Sequence, residues 1–185
     1  MKFINIIGTT GSGKSTFARK LAQKRQLQDI ELDNLLWLDD WQESADEAFF
    51  CKLKSGMEAA PAGWVIDNLY TRSIEMIWSQ ADTVIWLDYS FSLNLYRLTK
   101  RTLWRAMSQK PLWENSNNRE NWKIMLSRKS IFLWMLQKYP QNKQRYAAMM
   151  QDPEYQHIQF IRLTSPKQAQ EFLKRLSGVN CNKKA

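Results

Sequence analysis

Gly8, Gly13, Lys14 and Ser15 stand in the spacing G-x-x-x-x-G-K-S, with Thr9, Thr10, Gly11 and Ser12 between the outer glycines and Thr16 after the serine. That spacing is a phosphate cradle, the P-loop. Small side chains let successive backbone N–H groups turn inward on an anion. Gly11 and Gly13 supply the φ freedom such a turn needs. Lys14 would bring a cation to the β- and γ-phosphates of a nucleoside triphosphate, and the Ser15 hydroxyl would offer Mg2+ a ligand. Three aspartates, Asp33, Asp67 and Asp88, each follow a short apolar run. A carboxylate in such a place can order the waters of a metal or accept a proton.

The elements that must position these groups can be read from periodicity. Phe3 to Ile7 is a continuous apolar run and predicts a buried strand before the loop. Ser15 to about Gln26 predicts a helix behind it, with its positive dipole end on the same anion. Further strands are expected at 29–32, 64–66, 83–87 and 158–163. Helices are expected at 44–60 (apolar at Ala48, Phe49, Leu53 and Met57, stopped by Pro61), 72–80, 91–108, 119–138, 141–150 and about 167–176. Residues 34–42 are aromatic-rich and are placed beside or over the site. The stripes Trp122, Met125, Leu126 and Phe132, Leu133, Leu136 read as core.

Strands alternating with helices predict a parallel sheet covered on both faces. Ligands of such sheets lie beyond the carboxyl ends of the strands. Gly8, Asp33, Asp67 and Asp88 would therefore converge on one rim. Each aspartate taken alone could be only a helix N-cap, Asp88 more readily than Asp33 or Asp67.

At 185 residues the chain is expected to form one domain, residues 1–176, with a polar, frayed tail at 177–185. The formal charge of +9 is unevenly placed: residues 97–145 hold twelve Lys or Arg against Glu114 and Glu120. Concentrated positive charge implies a polyanionic partner. Nucleotide phosphates are the simplest one, and nucleic acid is the alternative, although no recognised DNA-binding motif is present. Arg97, Arg101 and Arg105 recur every four residues, on one face of a helix. With Asn115 to Asn118 as a polar turn, residues 97–122 are expected to form a lid. Arg101, Arg105 and Arg119 would close on the transferred phosphoryl group.

Cys51 and Cys181 suggest neither a disulfide framework nor a metal site, and His157 is the only histidine. No apolar run reaches 18 residues, and Phe3 enters a strand at once, so a cytoplasmic location is expected.

Longer stretches carry a family resemblance. Gly8-Thr-Thr-Gly-Ser-Gly-Lys-Ser-Thr16, Leu32-Asp33, Trp64-Val-Ile-Asp67 and Ala81-Asp-Thr-Val-Ile-Trp-Leu-Asp88 resemble the adenylate-kinase-like P-loop proteins. That group also carries the labels AAA-family ATPase and DNA topology modulation protein of the FlaR type. Asn118-Arg119-Glu120 and Ser127 to Trp134 are similar to later signatures of the same group, so the resemblance spans residues 3–175.

The resemblance implies a nucleoside-monophosphate-kinase fold: five parallel strands in the order 2-3-1-4-5, with a basic helical lid between the fourth and fifth. It implies that Asp67 plays the Walker B role toward Mg2+, with Asp33 second. Thr164, Ser165 and Pro166 would pass around adenine. The implied activity is phosphoryl transfer from Mg-ATP to a small acceptor, a nucleotide by resemblance. Asp33, Trp37, Tyr70 and Arg72 are the expected acceptor residues. The chain departs from the group at Asp67-Asn68-Leu69-Tyr70, where members usually read Asp-Gly-Asn-Tyr, and Arg72 is out of register with their arginine. Two other functions stay open: a hydroxyl-directed kinase with Asp33 as its base, and an ATPase or regulator associated with nucleic acid.

Overall fold

In the computed structural model, residues 1–108, 112, 116–119 and 131–178 are described. The elements, in chain order, are β1 (Phe3–Gly8), α1 (Lys14–Arg25), β2 (Gln28–Glu31), α2 (Leu32–Leu36), α3 (Asp46–Glu58), β3 (Trp64–Asp67), α4 (Ile74–Trp78), β4 (Thr83–Leu87), α5 (Phe91–Ser108), α6 (Ile131–Met149), β5 (Gln159–Leu163) and α7 (Pro166–Gly178). The five strands are all parallel, in the order β2-β3-β1-β4-β5. This is the sheet order of the P-loop kinase fold.

The strands are buried on both faces because alternate side chains feed two separate cores. Ile4, Ile6, Val65, Ile85 and Leu87 pack with Phe17, Leu21 and Leu173, so α1 and α7 cover that side. Ile7, Trp64, Ile66, Val84 and Trp86 point the other way, onto Phe49, Leu53, Ile77, Trp78 and Tyr146 of α3, α4 and α6. Asn5 is the polar exception in the central strand. Its Nδ2 donates to the carbonyls of Ile66 (3.0 Å) and Asn68 (2.8 Å), and its Oδ1 accepts from Trp78 Nε1 (2.9 Å). A fully buried amide is tolerated when its groups are satisfied.

Two boundaries differ from expectation for local reasons. The second strand stops at Glu31, and Leu32 opens a helix instead. Leu32, Leu35 and Leu36 have helical spacing, and both Leu32 and Leu36 are buried by it. Residues 131–149 form one helix that runs through Pro140, where a break was expected. A proline there removes one helical hydrogen bond; Tyr139, just before it, is anchored by a bond from its hydroxyl to the Tyr89 carbonyl at 3.0 Å. Glu114, Glu120, Trp122, Met125, Leu126 and Cys181, with parts of the expected 97–122 lid, 119–138 helix and 177–185 tail, lie outside the described residues. Among the described residues, no helix is long and apolar enough to cross a membrane.

Candidate functional site

The loop between β1 and α1 is built by close approach. Gly11 and Gly13 have φ of 83° and 87°, in the left-handed region that favours glycine. At Gly11 a Cβ would also sit 2.3 Å from the carbonyl oxygen of Asn94 on α5. Only glycine fits both demands. Ser12 N donates to Thr9 O (3.1 Å), closing the turn. No side chain caps the first turn of α1, which begins at Lys14 behind Gly13. Its first N–H groups are thus left for an anion from outside.

Lys14 is half-buried, and burial lowers its pKa; Arg101 adds to this, while Asp33 and Asp67 oppose it. The lysine thus stands within the field of two carboxylates and one arginine. Asp67 is 3% exposed at the end of β3, opposite Ile6 of β1 and Glu31 of β2. Burial raises its pKa to about 6, although a hydrogen bond from the Ser15 hydroxyl and the Lys14 charge pull it down. Its Oδ1 is buried without a hydrogen-bond partner among the described residues. An orphaned carboxylate oxygen beside a hydroxyl suits a hard cation that also takes phosphate oxygens and water. The described residues hold no cluster of three His, Cys, Asp or Glu for a metal.

Asp33 sits in the first turn of α2 and is organised differently. Its Oδ1 accepts from Asn68 Nδ2 (3.0 Å) and from the Tyr70 hydroxyl. The Trp37 side chain reaches the same hydroxyl, and burial with the Asp33 charge raises the Tyr70 pKa far above the usual value. Asn68 holds φ of 73°, and its N–H donates to Ile6 O at 2.9 Å. Asn is among the few non-glycine residues that tolerate this conformation. Asp33, Trp37 and Tyr70 are therefore one connected group.

Other expected residues lie elsewhere. Arg72 is turned to Glu43 (3.2 Å) and Asp46, and stacks over the rings of Phe49 and Tyr70. Asp88 does not join the other two aspartates: its carboxylate receives Arg162 of β5 (2.5 Å) and Lys143 of α6 (3.5 Å). Thr164 and Ser165 lead from β5 into α7, which Pro166 opens; Gln168 N donates to Ser165 Oγ (3.3 Å) and Thr164 N to Gln168 Oε1 (2.8 Å). Arg101 and Arg105 are half-buried on α5, and Arg119 is exposed.

Sequence reasoning missed Asn5, and it placed Arg97 only in a basic stripe and Asn118 only in a polar turn. Asn5 fixes the Asn68 backbone from within the sheet. Arg97 braces the phosphate loop through the carbonyl of Ser12. Asn118 binds the turn after Trp37. A polar residue inside an otherwise apolar strand was the one available signal, for Asn5.

The sheet order, the phosphate loop and the Ser15–Asp67 pair define a P-loop protein of the kinase-type fold. A family model described as an AAA domain matches residues 4–121, and the chain belongs to that family. No curated protein matches the sequence significantly. Among solved structures, a sugar kinase from a Janibacter species superposes with a TM-score of 0.50 at 14% identity, covering 97% of this chain and 92% of that one. A shikimate kinase from Acinetobacter baumannii in complex with shikimate gives 0.48 at 16%, covering 100% and 96%. A gluconokinase from Sinorhizobium meliloti gives 0.46 at 15%, covering all of both chains. At such identities these likenesses concern the fold alone.

Proposed function

We propose that this protein is a Mg-ATP-dependent phosphotransferase whose acceptor is a hydroxyl of a small molecule. The observation that carries this reading is the state of Asp33. Its Oδ1 is taken by two donors, and its Oδ2 receives no hydrogen bond from the described residues. An oriented carboxylate with one free oxygen suits a group that must take the proton of an alcohol.

The β,γ-phosphates of ATP would lie on the loop amides and Lys14. Mg2+, held by Ser15 and Asp67, would neutralise charge on those oxygens. The acceptor hydroxyl gives its proton to Asp33 as its oxygen bonds to the γ-phosphorus, and the bond to ADP breaks. Arg101 stands near enough to Lys14 to share in stabilising the transferred group, with Arg105 and Arg119 as further candidates.

A phosphate monoester, the acceptor implied by family resemblance, fits this side less well. Residues 26–51 contain eight Asp or Glu and no Lys or Arg. Arg72, the nearby cation that could hold a phosphate, already faces two carboxylates. Such a segment repels a dianion and admits neutral or cationic alcohols. An alternative role on nucleic acid has only the basic charge of residues 97–145 to support it.

An acceptor screen with Mg-ATP tests the proposal, comparing polyols and amino alcohols with nucleoside monophosphates. ADP and a phosphorylated alcohol are expected, with Asp33→Asn reducing kcat by about 100-fold or more. Faster transfer to a monophosphate, undiminished by Asp33→Asn, would replace the hydroxyl reading with the nucleotide one.

A further inference from the structure

The turn that follows Trp37 is held by a segment nearly eighty residues later in the chain. Asn118 is 2% exposed and uses both ends of its amide there. Nδ2 donates to the Leu38 carbonyl at 2.8 Å, and Oδ1 accepts from Trp41 N at 2.7 Å. Asn117 adds three contacts: its Oδ1 accepts from Asp40 N (3.1 Å), its N–H donates to Asp39 Oδ1 (2.7 Å), and its Nδ2 donates to Asp40 Oδ1 (3.5 Å).

The turn needs such support. Asp40 and Trp41 have φ of 55° and 58°, a left-handed pair unfavourable for residues with side chains. Leu38 N bonds to Gln42 O (2.8 Å), and Trp37 bridges Glu43, so the turn closes on Trp37 itself. The Trp37 and Trp41 rings meet edge to face at 5.9 Å. Trp37 N donates to the Asp33 carbonyl at 3.0 Å, and its side chain reaches the Tyr70 hydroxyl, which bonds the Asp33 carboxylate. The contacts run without a gap from Asn118 through the 38–42 turn, Trp37 and Tyr70 to the carboxylate.

Resting on the acceptor site proposed above, we infer that Asn118 is a positioning residue for Asp33. It belongs to the long excursion between β4 and β5, the part of the chain that also carries Arg101 and Arg105. It therefore links the side of the site that would cover the donor phosphates to the carboxylate that would meet the acceptor. The position demands an asparagine, because one side chain must donate and accept at once over a short reach. Aspartate would keep the acceptor, lose the donor and set a charge against the Leu38 carbonyl.

Asn118→Ala and Asn118→Asp, each alone and in a Trp37→Phe background that lacks the indole donor, test the inference. Loss of both buried hydrogen bonds in alanine, or of the donor with an added charge in aspartate, should lower kcat/KM for the alcohol acceptor about tenfold or more. The KM for ATP should stay within about twofold, a split that general loosening of the fold would not give. In the Trp37→Phe background the same substitutions should cost less than about twofold, since both act through one path. Independent multiplication of the two effects, or an equal rise in the KM for ATP, would overturn the inference. If wild-type protein phosphorylates no alcohol, the acceptor reading itself has failed, and hydrogen exchange of the ligand-free protein decides about Asn118. Asn118→Ala should then speed exchange about tenfold at 37–43 and also at 68–72, with 3–15 unchanged. Acceleration confined to 37–43, or absent, would show that Asn118 does not reach the Asp33 group.

Discussion

Arg97 of α5 donates from Nη1 to the backbone carbonyl of Ser12 at 3.2 Å, so the basic stripe begins as a brace of the phosphate loop. The same guanidinium lies over the Tyr89 ring, 5.4 Å from its centroid. Arg97, Arg101 and Arg105 share spacing but not circumstance: Arg97 is engaged by the loop, while Arg101 acts on Lys14 through its charge. Arg97→Met should keep most of the packing and lose the hydrogen bond, at about 1 kcal/mol. The KM for ATP should rise by about fivefold to tenfold with little change in the acceptor KM. Initial-rate kinetics varying each substrate in turn checks this, and an unchanged KM for ATP would remove Arg97 from the loop's support.

Lys14→Ala should abolish phosphoryl transfer while the protein stays folded. The lysine is half-buried among ionisable groups, and its loss would remove the cation proposed to meet the transferred phosphate, costing on the order of 100-fold or more in kcat. Circular dichroism and an ATP turnover assay on the same sample separate folding from catalysis. Turnover within tenfold of wild type would exclude Lys14 from the chemistry.

Asp67→Asn should trade function for stability. A buried carboxylate with its pKa raised to about 6 is held charged at neutral pH against its surroundings. Relative to an unfolded value near 4, the folded state binds the proton more tightly. The stability contribution is therefore most favourable below about pH 4, falls as pH rises through about 6, and stays unfavourable above that. The neutral amide avoids this penalty and should raise Tm at pH 7 by a few degrees, for about 1–2 kcal/mol. Mg2+-dependent activity should fall sharply in the same variant. In wild type, activity at fixed Mg2+ should decline as the pH drops through about 6, where protonation would remove the ligand proposed for the metal, and extra Mg2+ should shift that midpoint downward. Differential scanning calorimetry of both proteins with a pH–rate series tests both halves. A lower Tm for Asp67→Asn would show that the carboxylate is stabilised by its partners.

Asp33→Asn and Asp88→Asn should separate catalysis from architecture. Asp88 ties β4 to Arg162 of β5 and Lys143 of α6, at the edge of the sheet. Its partners are substantially exposed, so the substitution should cost about 1–3 kcal/mol in stability and little in kcat at a temperature where the variant is folded. Asp33→Asn should show the reverse. Urea unfolding beside kcat measurements makes the comparison, and a larger kcat loss for Asp88→Asn would reverse the assignment.

The chain's local chemistry alone determined the phosphate loop, the strand and helix that flank it, and the five parallel strands. A motif such as Gly8 to Ser15 must satisfy backbone geometry and anion binding within one short stretch, so its demands are written in consecutive residues. Strand order came from family resemblance, and the hydrogen-bonded sheet confirms it. The partners of each carboxylate were beyond local reading. Asp33, Asp67 and Asp88 follow similar apolar runs, yet one meets Tyr70 and Asn68, one Ser15 and Lys14, and one Arg162 and Lys143. Periodicity says that a side chain lies at a strand end but not which distant residue folds back upon it. Asn118 is the clearest case: in sequence it belongs to a polar run, and only the approach of the 38–42 turn makes it a buried amide used at both ends. Contacts between residues far apart in the chain depend on how the helices pack on the sheet, and that packing is decided by the whole of both cores at once.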